Sequence, residues 1–555
     1  MKYLNLLLLL QPVLAAHCPP TGPLLPPPSL ASLPDSAGLH DRLNALLTSK
    51  TSSWNTSTNS FSVAITSLND TIFEHHYTAP VRGEGGVAKV DSDTTYRIMS
   101  ITKVFNALTL LLHAPYSLDT PVTKYIPELQ GSKDYADVTL RMLTDQSAGM
   151  PRDGYAFDLY NAQGQQLIEA GFPIPDNKSI PSCDAVGMKT CSRATFFENL
   201  LQNRLSWLPG DKAGYSDQAF TLLGMAMENI TGKPFAQLLR DSITTPLDMP
   251  TTGFNAPIRS RGIIPTGPGG VFWDFDIGNF NATAGLYSTP NELLKFVRAI
   301  LNHILLSPAN TREWMRPSRF AGSYTMGVGA PWEIFRLSHL TPDNRPVDIY
   351  TKSGSLPGYA SYLVLIPEFN IGGAINVSGD DGDDAAFDLL DAVTSIAVPA
   401  LDSLARVQAK ETYAGKYTGQ CDGLNCTASD TSSLELVVDS GPGLHVVSWV
   451  NNGKSVLNIL AANKGAKTMD IEARLYPVGD GDRWRLAVER KHHVGGDTIR
   501  RPSEACSMWF QIDKMRYASL PVDEFVFRLS EGNAISVTNP GLRAKLTKEQ
   551  GHGGR

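Results

Sequence analysis

The chain has 555 residues, 42% of them hydrophobic and 19% charged, which is enough apolar material for large packed cores and excludes disorder as its general state. At roughly 150 residues per domain the length suggests several units, although two large ones would also account for it. Lys and Arg number 48 against 55 Asp and Glu, a net charge of −7, so nothing in the balance would hold a polyanion by counterion release and no nucleic-acid partner is expected.

The first residues read as a leader. Lys2 supplies a positive start, Leu4 to Leu10 an apolar run too short to span a bilayer, and Leu14-Ala15-Ala16 a small-residue exit, so residues 1–16 are expected to be a signal peptide and the protein to be secreted. No later apolar run is long enough to cross a membrane, and no membrane anchor is expected. Six cysteines suit an oxidising compartment. Cys183 and Cys191 flank one short loop and Cys421 and Cys426 another, leaving Cys18 and Cys506 as a long-range candidate pair; the sequence leaves the connectivity open. None has CxxC spacing, so neither redox catalysis nor a metal site is expected, and no cofactor is implied. Asn-x-Ser/Thr acceptors stand at Asn55, Asn69, Asn177, Asn229, Asn281, Asn376 and Asn425, the pattern of a glycoprotein.

Residues 17–35 are rich in Pro and Ser and read as an extended arm, not a core element. A helical pattern follows at Leu39, Leu43, Leu46 and Leu47. Phe61 to Thr66 alternates as a half-buried strand, with Thr71 to His75 as its hairpin partner. Ser100 to His113 is apolar nearly all round, the profile of a helix buried mid-domain. The stretch 122–300 reads mainly as helices and loops. Val347 to Lys352, Ala360 to Ile366 and Ile371 to Val377 read as strands, and Ala385 to Val398 as a helix. From Thr412 the pattern changes to short alternating runs broken by Gly, Asn and Asp: Leu434 to Val438, Leu444 to Val450, Val456 to Leu460, Ala473 to Tyr476 and Phe525 to Leu529. That spacing suits an all-β barrel or sandwich, with Asn451-Asn452-Gly453 as a hairpin turn. The division expected is 36–405 for a first domain, 410–545 for a C-terminal β domain and 546–555 for a polar tail.

In Ser100-Ile101-Thr102-Lys103, residues i and i+3 share a helix face, which places the hydroxyl beside the amine. Burial would lower the amine's pKa and make it a usable base. Ser-x-x-Lys alone is weak, since it arises about once or twice by chance in a chain this long. Two later stretches supply partners. Tyr215-Ser216-Asp217 follows a Pro209-Gly210 turn and precedes an apolar helix, so the tyrosine would sit on a loop over a cleft, where cations would favour its phenolate. Lys352-Ser353-Gly354-Ser355 ends a strand; the lysine would lend positive charge, and a free N–H after Gly354 would face an oxyanion. Taken singly, Tyr215 reads as a core or cap residue and Lys352 as a solvated strand end. The ordered set is specific.

In these motifs the sequence resembles the serine β-lactamase and penicillin-binding protein superfamily, and in particular the class C β-lactamase-related secreted proteins of fungal type. The likeness runs over about 36–400 and takes in Ser117 to Pro127, Val138 to Gly149 (with Asp145 where histidine is common), Pro246 to Met249, Gly285 to Thr289 and Leu293 to Phe296; Tyr413 to Tyr417 resembles the start of the β domain that follows many of these enzymes. The resemblance implies an α+β fold, an antiparallel sheet flanked by helices plus a mainly helical subdomain, with a C-terminal all-β, barrel-like domain behind it. It implies catalytic roles for Ser100, Lys103, Tyr215 and Lys352, and substrate or oxyanion contacts for Ser353, Gly354, Ser355 and Asp217. Asp217 replaces the usual Asn, which puts penicillin-like substrates in doubt. The insert around Cys183 to Cys191 is expected to reshape the cleft mouth. The expected activity is a serine hydrolase or acyltransferase, as in relatives from fungal secondary metabolism, acting on a small-molecule or short-peptide acyl substrate. A catalytically inactive glycoprotein that keeps the pocket for binding is the alternative. An α/β-hydrolase is disfavoured because no Gly-x-Ser-x-Gly elbow occurs.

Overall fold

Why the chain forms two separate cores follows from where its apolar residues pair. The computed structural model describes residues 19–49, 53–177, 179–185, 188–420, 431–479, 481–491, 510 and 512–549. The leader, Cys18, Cys421, Asn425, Cys426, Cys506 and the end of the tail lie outside the described residues. One unit comprises 30–337 and 348–397; the other comprises 1–29, 338–347 and 398–555. The division at 397/398 falls inside a single helix, Gly382–Tyr413. Among the described residues no helix is long and apolar enough to cross a membrane.

The first unit is built on a sheet of β1 (Ser60–Thr66), β2 (Thr71–Tyr77), β3 (Arg319–Phe320), β4 (Met326–Val328), β5 (Glu333–Leu337), β6 (Val347–Leu356), β7 (Gly358–Ile366) and β8 (Ile371–Gly379), in the order β2-β1-β8-β7-β6-β5-β4-β3. The expected hairpin at 61–75 is present, Phe61 pairing with Tyr77 and Val63 with His75. β1, β7 and β8 are buried along their whole length, so they lie between layers; the half-buried strand expected at 61–66 is thereby corrected, since Ser62 and Thr66 are as buried as Phe61 and Val63. The expected helix at 39–47 is α1 (Ser36–Thr48), which buries Leu39, Leu43 and Leu46.

Ser100 to His113 begins as a 3-10 turn, Met99–Ile101, and continues as α2 (Thr102–His113), whose residues 102–110 are all buried. α3 (Asp217–Thr231) packs beside it, buried from Gln218 to Met227. Each large apolar side chain so enclosed contributes about 1.5–3 kcal/mol. One polar residue ties this layer together. Asn106 Nδ2 donates to Phe220 O at 3.0 Å and to Ala282 O at 2.9 Å, joining α2 to α3 and to the short helix Asn281–Ala284.

The second unit contains β9 (Gly415–Gln420), β10 (Thr431–Val437), β11 (Leu444–Asn451), β12 (Ile471–Pro477), β13 (Arg483–Arg490), β14 (Glu524–Ser530), β15 (Asn533–Asn539) and β16 (Ala544–Lys548). They run β10-β9-β16-β15-β14-β13-β12-β11, and β11 pairs again with β10, closing an eight-stranded antiparallel barrel. Closure removes the exposed edges that an open sheet would leave. Asn452-Gly453 is the two-residue turn after β11, both residues at positive φ (49° and 70°), the conformation that favours Asn-Gly. The core gathers Tyr413, Trp484 and Phe527, with ring centroids 4.9 to 5.8 Å apart.

Four expectations are corrected here. The expected polar tail 546–555 begins inside the barrel: residues 546–548 end β16, and Leu546 is buried in the barrel core. Val456–Asn463 is a helix, not a strand: Ser455 caps it, and Val456, Leu457, Leu460 and Ala461 are buried at helical spacing. The Pro-rich arm is not free of the core, because Leu24 and Leu25 are buried and Leu25 joins the barrel cluster. Asn376 is not a glycosylation site in the folded chain. It is fully buried in β8, paired with Ser62 on one side and Ser361 on the other. Asn55, Asn69, Asn177 and Asn229 are exposed, and Asn281 is half-buried.

Candidate active site

The turn that carries Ser100 is held from three directions. Ile98 N donates to Leu286 O at 3.0 Å, Ser361 Oγ donates to Ile98 O at 3.0 Å, and Thr102 Oγ1 donates to Met99 O at 2.6 Å. Met99, just before the serine, has φ 48°, a left-handed backbone that a side-chain-bearing residue adopts only where its surroundings enforce it. Gly354 in β6 presses against this turn. A Cβ there would collide with Ile98 O and stand 3.0 Å from Ser100 N. Gly354→Ala should therefore lose about 1–3 kcal/mol of stability and displace Ser100, read as a lower denaturation midpoint together with slower covalent labelling.

One helical turn on, Lys103 is fully buried. Its Nζ is 2.9 Å from Ser100 Oγ and 3.2 Å from Thr283 O, and it is paired with Asp217 Oδ1. Burial pushes its pKa down to about 8, against the opposing pull of Asp217. Three acceptors satisfy an ammonium. In the neutral amine, two N–H groups can stay on Asp217 and Thr283 while the lone pair faces Ser100 Oγ, the geometry a general base needs.

Tyr215 lies on the loop before α3, where the sequence places it. The loop is shaped by Gln146, which sequence reasoning passed over: Gly214 N donates to Gln146 O at 2.8 Å and Ser216 N to Gln146 Oε1 at 2.9 Å. Tyr215 Oη donates to Ser100 Oγ at 2.7 Å. Lys103, Arg152 and Lys352 stand 4.8, 5.2 and 5.2 Å from its ring centroid. The expectation of a phenolate is nonetheless corrected. Burial, then the Asp217 charge, push the phenol well above its ordinary range, so Tyr215 is a neutral donor.

Two further roles change. Asp217 lines the cavity, but its Oδ1 is committed to Lys103 and not left to orient a substrate. Lys352 is fully buried, its Nζ 2.5 Å from Glu333 Oε1 and 2.8 Å from Ser353 O. Its charge is neutralised by Glu333 on β5, so it is not placed to meet a substrate carboxylate. Glu333 also accepts from Ser353 N at 2.8 Å and Ser353 Oγ at 3.0 Å. That bond shows Ser353 N–H directed away from β7. Strand alternation directs Ser355 N–H the same way, past the start of β5 and toward the cavity that Ser353 and Ser355 line. Ser355 Oγ itself donates to Asp383 Oδ2 at 2.8 Å.

The cavity above Ser100 has a volume of about 310 Å³. Phe157, Phe272, Phe275, Ile277 and Phe280 make one wall, and Arg152, Asp153, Asp217 and Glu333 supply the polar groups near the floor. Cys183 and Cys191 are bonded, and Asp184, Met188 and Thr190 between them line the cavity, so this insert does shape the cleft. Arg152, Asp153 and Glu333 had no signature in the sequence, because each acquires its meaning from a partner far along the chain. Among the described residues no group of three or more His, Cys, Asp or Glu side chains could hold a metal ion.

Comparison with known proteins places the chain in a family. The family described as "Beta-lactamase" matches residues 50–397, and "Beta-lactamase-like-like, C-terminal domain" matches 405–550. A β-lactamase-like protein of Arthroderma benhamiae is 31% identical over 581 residues, covering 96% of both chains. A probable hydrolase of Cochliobolus lunatus, clz13, is 27% identical, covering 88% of this chain and 84% of that one. The Escherichia coli D-alanyl-D-alanine-carboxypeptidase/endopeptidase AmpH is 24% identical over 307 residues, 53% of this chain and 73% of its own. The chain belongs to the β-lactamase/transpeptidase-like serine hydrolase superfamily, of the fungal type that carries this C-terminal barrel domain.

Proposed function

We propose that this protein is a secreted serine hydrolase that forms an acyl-enzyme on Ser100 from an ester or amide substrate. The observation that carries the reading is the double engagement of Ser100 Oγ, by Lys103 Nζ at 2.9 Å and Tyr215 Oη at 2.7 Å, at the floor of a half-open cavity. Neutral Lys103 takes the serine proton as Oγ attacks the carbonyl. The Ser100 and Ser355 N–H groups hold the oxyanion, each worth about 3–4 kcal/mol in comparable sites. Tyr215, a neutral phenol beside Oγ, gives its proton to the leaving alcohol or amine and is reprotonated by the Lys103 ammonium, so both groups are neutral again before deacylation. Water then attacks the acyl-enzyme, with Lys103 again as base, and an alcohol or amine in its place makes the reaction a transfer.

The aromatic wall of the cavity favours a substrate with an apolar group next to the reacting carbonyl. Hydrolase relatives, one of them a carboxypeptidase that cleaves amide bonds, support hydrolysis. The leader-like start of the sequence and the Cys183–Cys191 disulfide support secretion. The test is to incubate the full chain with a fluorophosphonate and map the adduct by peptide mass. A single adduct on Ser100 is expected; no adduct, or one on another residue, overturns the assignment.

A further inference from the structure

The chemistry just described leaves one carboxyl near the cavity floor, Asp153, without a role. Asp153 is not a surface acid. Its side chain is 13% exposed, Oδ2 pairs with Arg152 Nε at 2.9 Å, and Oδ1 is enclosed with no hydrogen-bond partner among the described residues. Its position is fixed by the start of α3. Asp217 N and Gln218 N donate to Arg152 O at 2.9 and 3.2 Å, and Ser216 Oγ donates to Pro151 O at 2.7 Å. Gly154 then turns at φ +57° against the Gln218 side chain. This stitching sets the Asp153 and Asp217 carboxyls against one another, with Lys103 on Asp217 Oδ1. Two ionised carboxylates can only repel; a proton between them supplies the missing donor and removes the repulsion.

We propose that Asp153 is a positioning residue for this active site: it shares one proton with Asp217 and so sets how tightly Lys103 holds its own. The proposal rests on the reading of Ser100 as nucleophile and Lys103 as base. With the proton on the pair, Asp217 divides its charge between two donors and Lys103 gives up its proton more readily. Without it, two negative charges face Lys103 and the amine stays ionised. The groups acting on the pair are Lys103, Lys352 and Arg152, with Glu333 opposing the lysines and Tyr215 beside them as a neutral phenol. Burial, then Asp217, push Asp153 up to about 7, close to the value of about 8 for Lys103, so the two titrations overlap and oppose each other.

The rate of fluorophosphonate inactivation of the full chain, followed from about pH 5.5 to 9.5, tests this. The wild type should rise with pH along a curve broader than that of one group. Asp153→Asn keeps a permanent donor on Asp217, and should give a single-group curve with its midpoint lower by roughly half a unit to one unit; it should match wild type near pH 6, where the pair already holds its proton, and react faster between about pH 7 and 8.5. Arg152→Gln, which removes the cation favouring ionised Asp153, should shift the midpoint the same way by less, and should have no effect in the Asp153→Asn background. An unmoved or raised midpoint in Asp153→Asn overturns the proposal. Should that variant fail to fold, an unmoved midpoint in Arg152→Gln does so. If Ser100→Ala is inactivated as fast as wild type, the nucleophile reading fails first; Ser100-dependent inactivation with profiles indifferent to Asp153 refutes the proton sharing alone.

Discussion

Replacing Ser100 with alanine should eliminate the fluorophosphonate adduct and lower turnover of any good substrate by at least about a thousandfold, with the fold retained. The residual rate would come from the oxyanion donors and cavity alone. Structural damage should be small, because Lys103 keeps Asp217 and Thr283 O as acceptors. The Tyr215 hydroxyl and Lys103 Nζ each lose one partner, and the tyrosine, half-buried at the cavity wall, can take water in its place, so the cost is at most about 1 kcal/mol. Thermal unfolding of the variant should therefore stay close to wild type. Retained labelling would exclude Ser100 as nucleophile.

Lys103→Met should slow acylation by about 10²- to 10⁴-fold, the range of a lost general base. Unlike the serine variant, it should also be markedly less stable. It leaves Asp217 enclosed without its cation, a situation that costs about 3–5 kcal/mol when one partner of a buried pair is removed. Adding Asp217→Asn should recover most of the stability and none of the rate. The denaturant midpoint and the inactivation rate, measured on the same two variants, separate the roles. The pH dependence has a definite sign: because the neutral amine is the active form, the rate should rise with pH through about 8 and fall steadily below it. A Lys103→Met protein labelled at the wild-type rate would rule the amine out as base.

The elements with strong local patterns were legible in the sequence: α1, the hairpin at 60–77, the apolar helix behind Ser100, the Asn452-Gly453 turn and the all-β character of the C-terminal domain. The motif positions Ser100, Lys103 and Tyr215 converge as their spacing and family likeness led one to expect. What was not legible came from pairings across the chain. Lys352 reads as a free charge until Glu333, 19 residues earlier, is seen to neutralise it. Asp217 reads as a substitute for a substrate-orienting amide until Lys103, 114 residues away, is found on its oxygen. Val456 to Leu460 is a short apolar run, and such runs carry no period long enough to tell helix from strand. Residues 338–347, which lie between β5 and the body of β6 in the chain, belong with the barrel unit. There Arg345 pairs with Asp343 at 2.8 Å and Asp402 at 3.0 Å, charges that composition alone would assign to the surface.

The placement of Asn376 bears on how the protein must be made. Asn376-Val377-Ser378 is an acceptor tripeptide woven into the middle of a sheet, with neighbours on both flanks. In any host whose lumen attaches oligosaccharides to nascent polypeptides, folding there races against modification. A molecule whose central strand is decorated first can no longer complete its sheet, so the yield of native protein should rise when that asparagine is replaced.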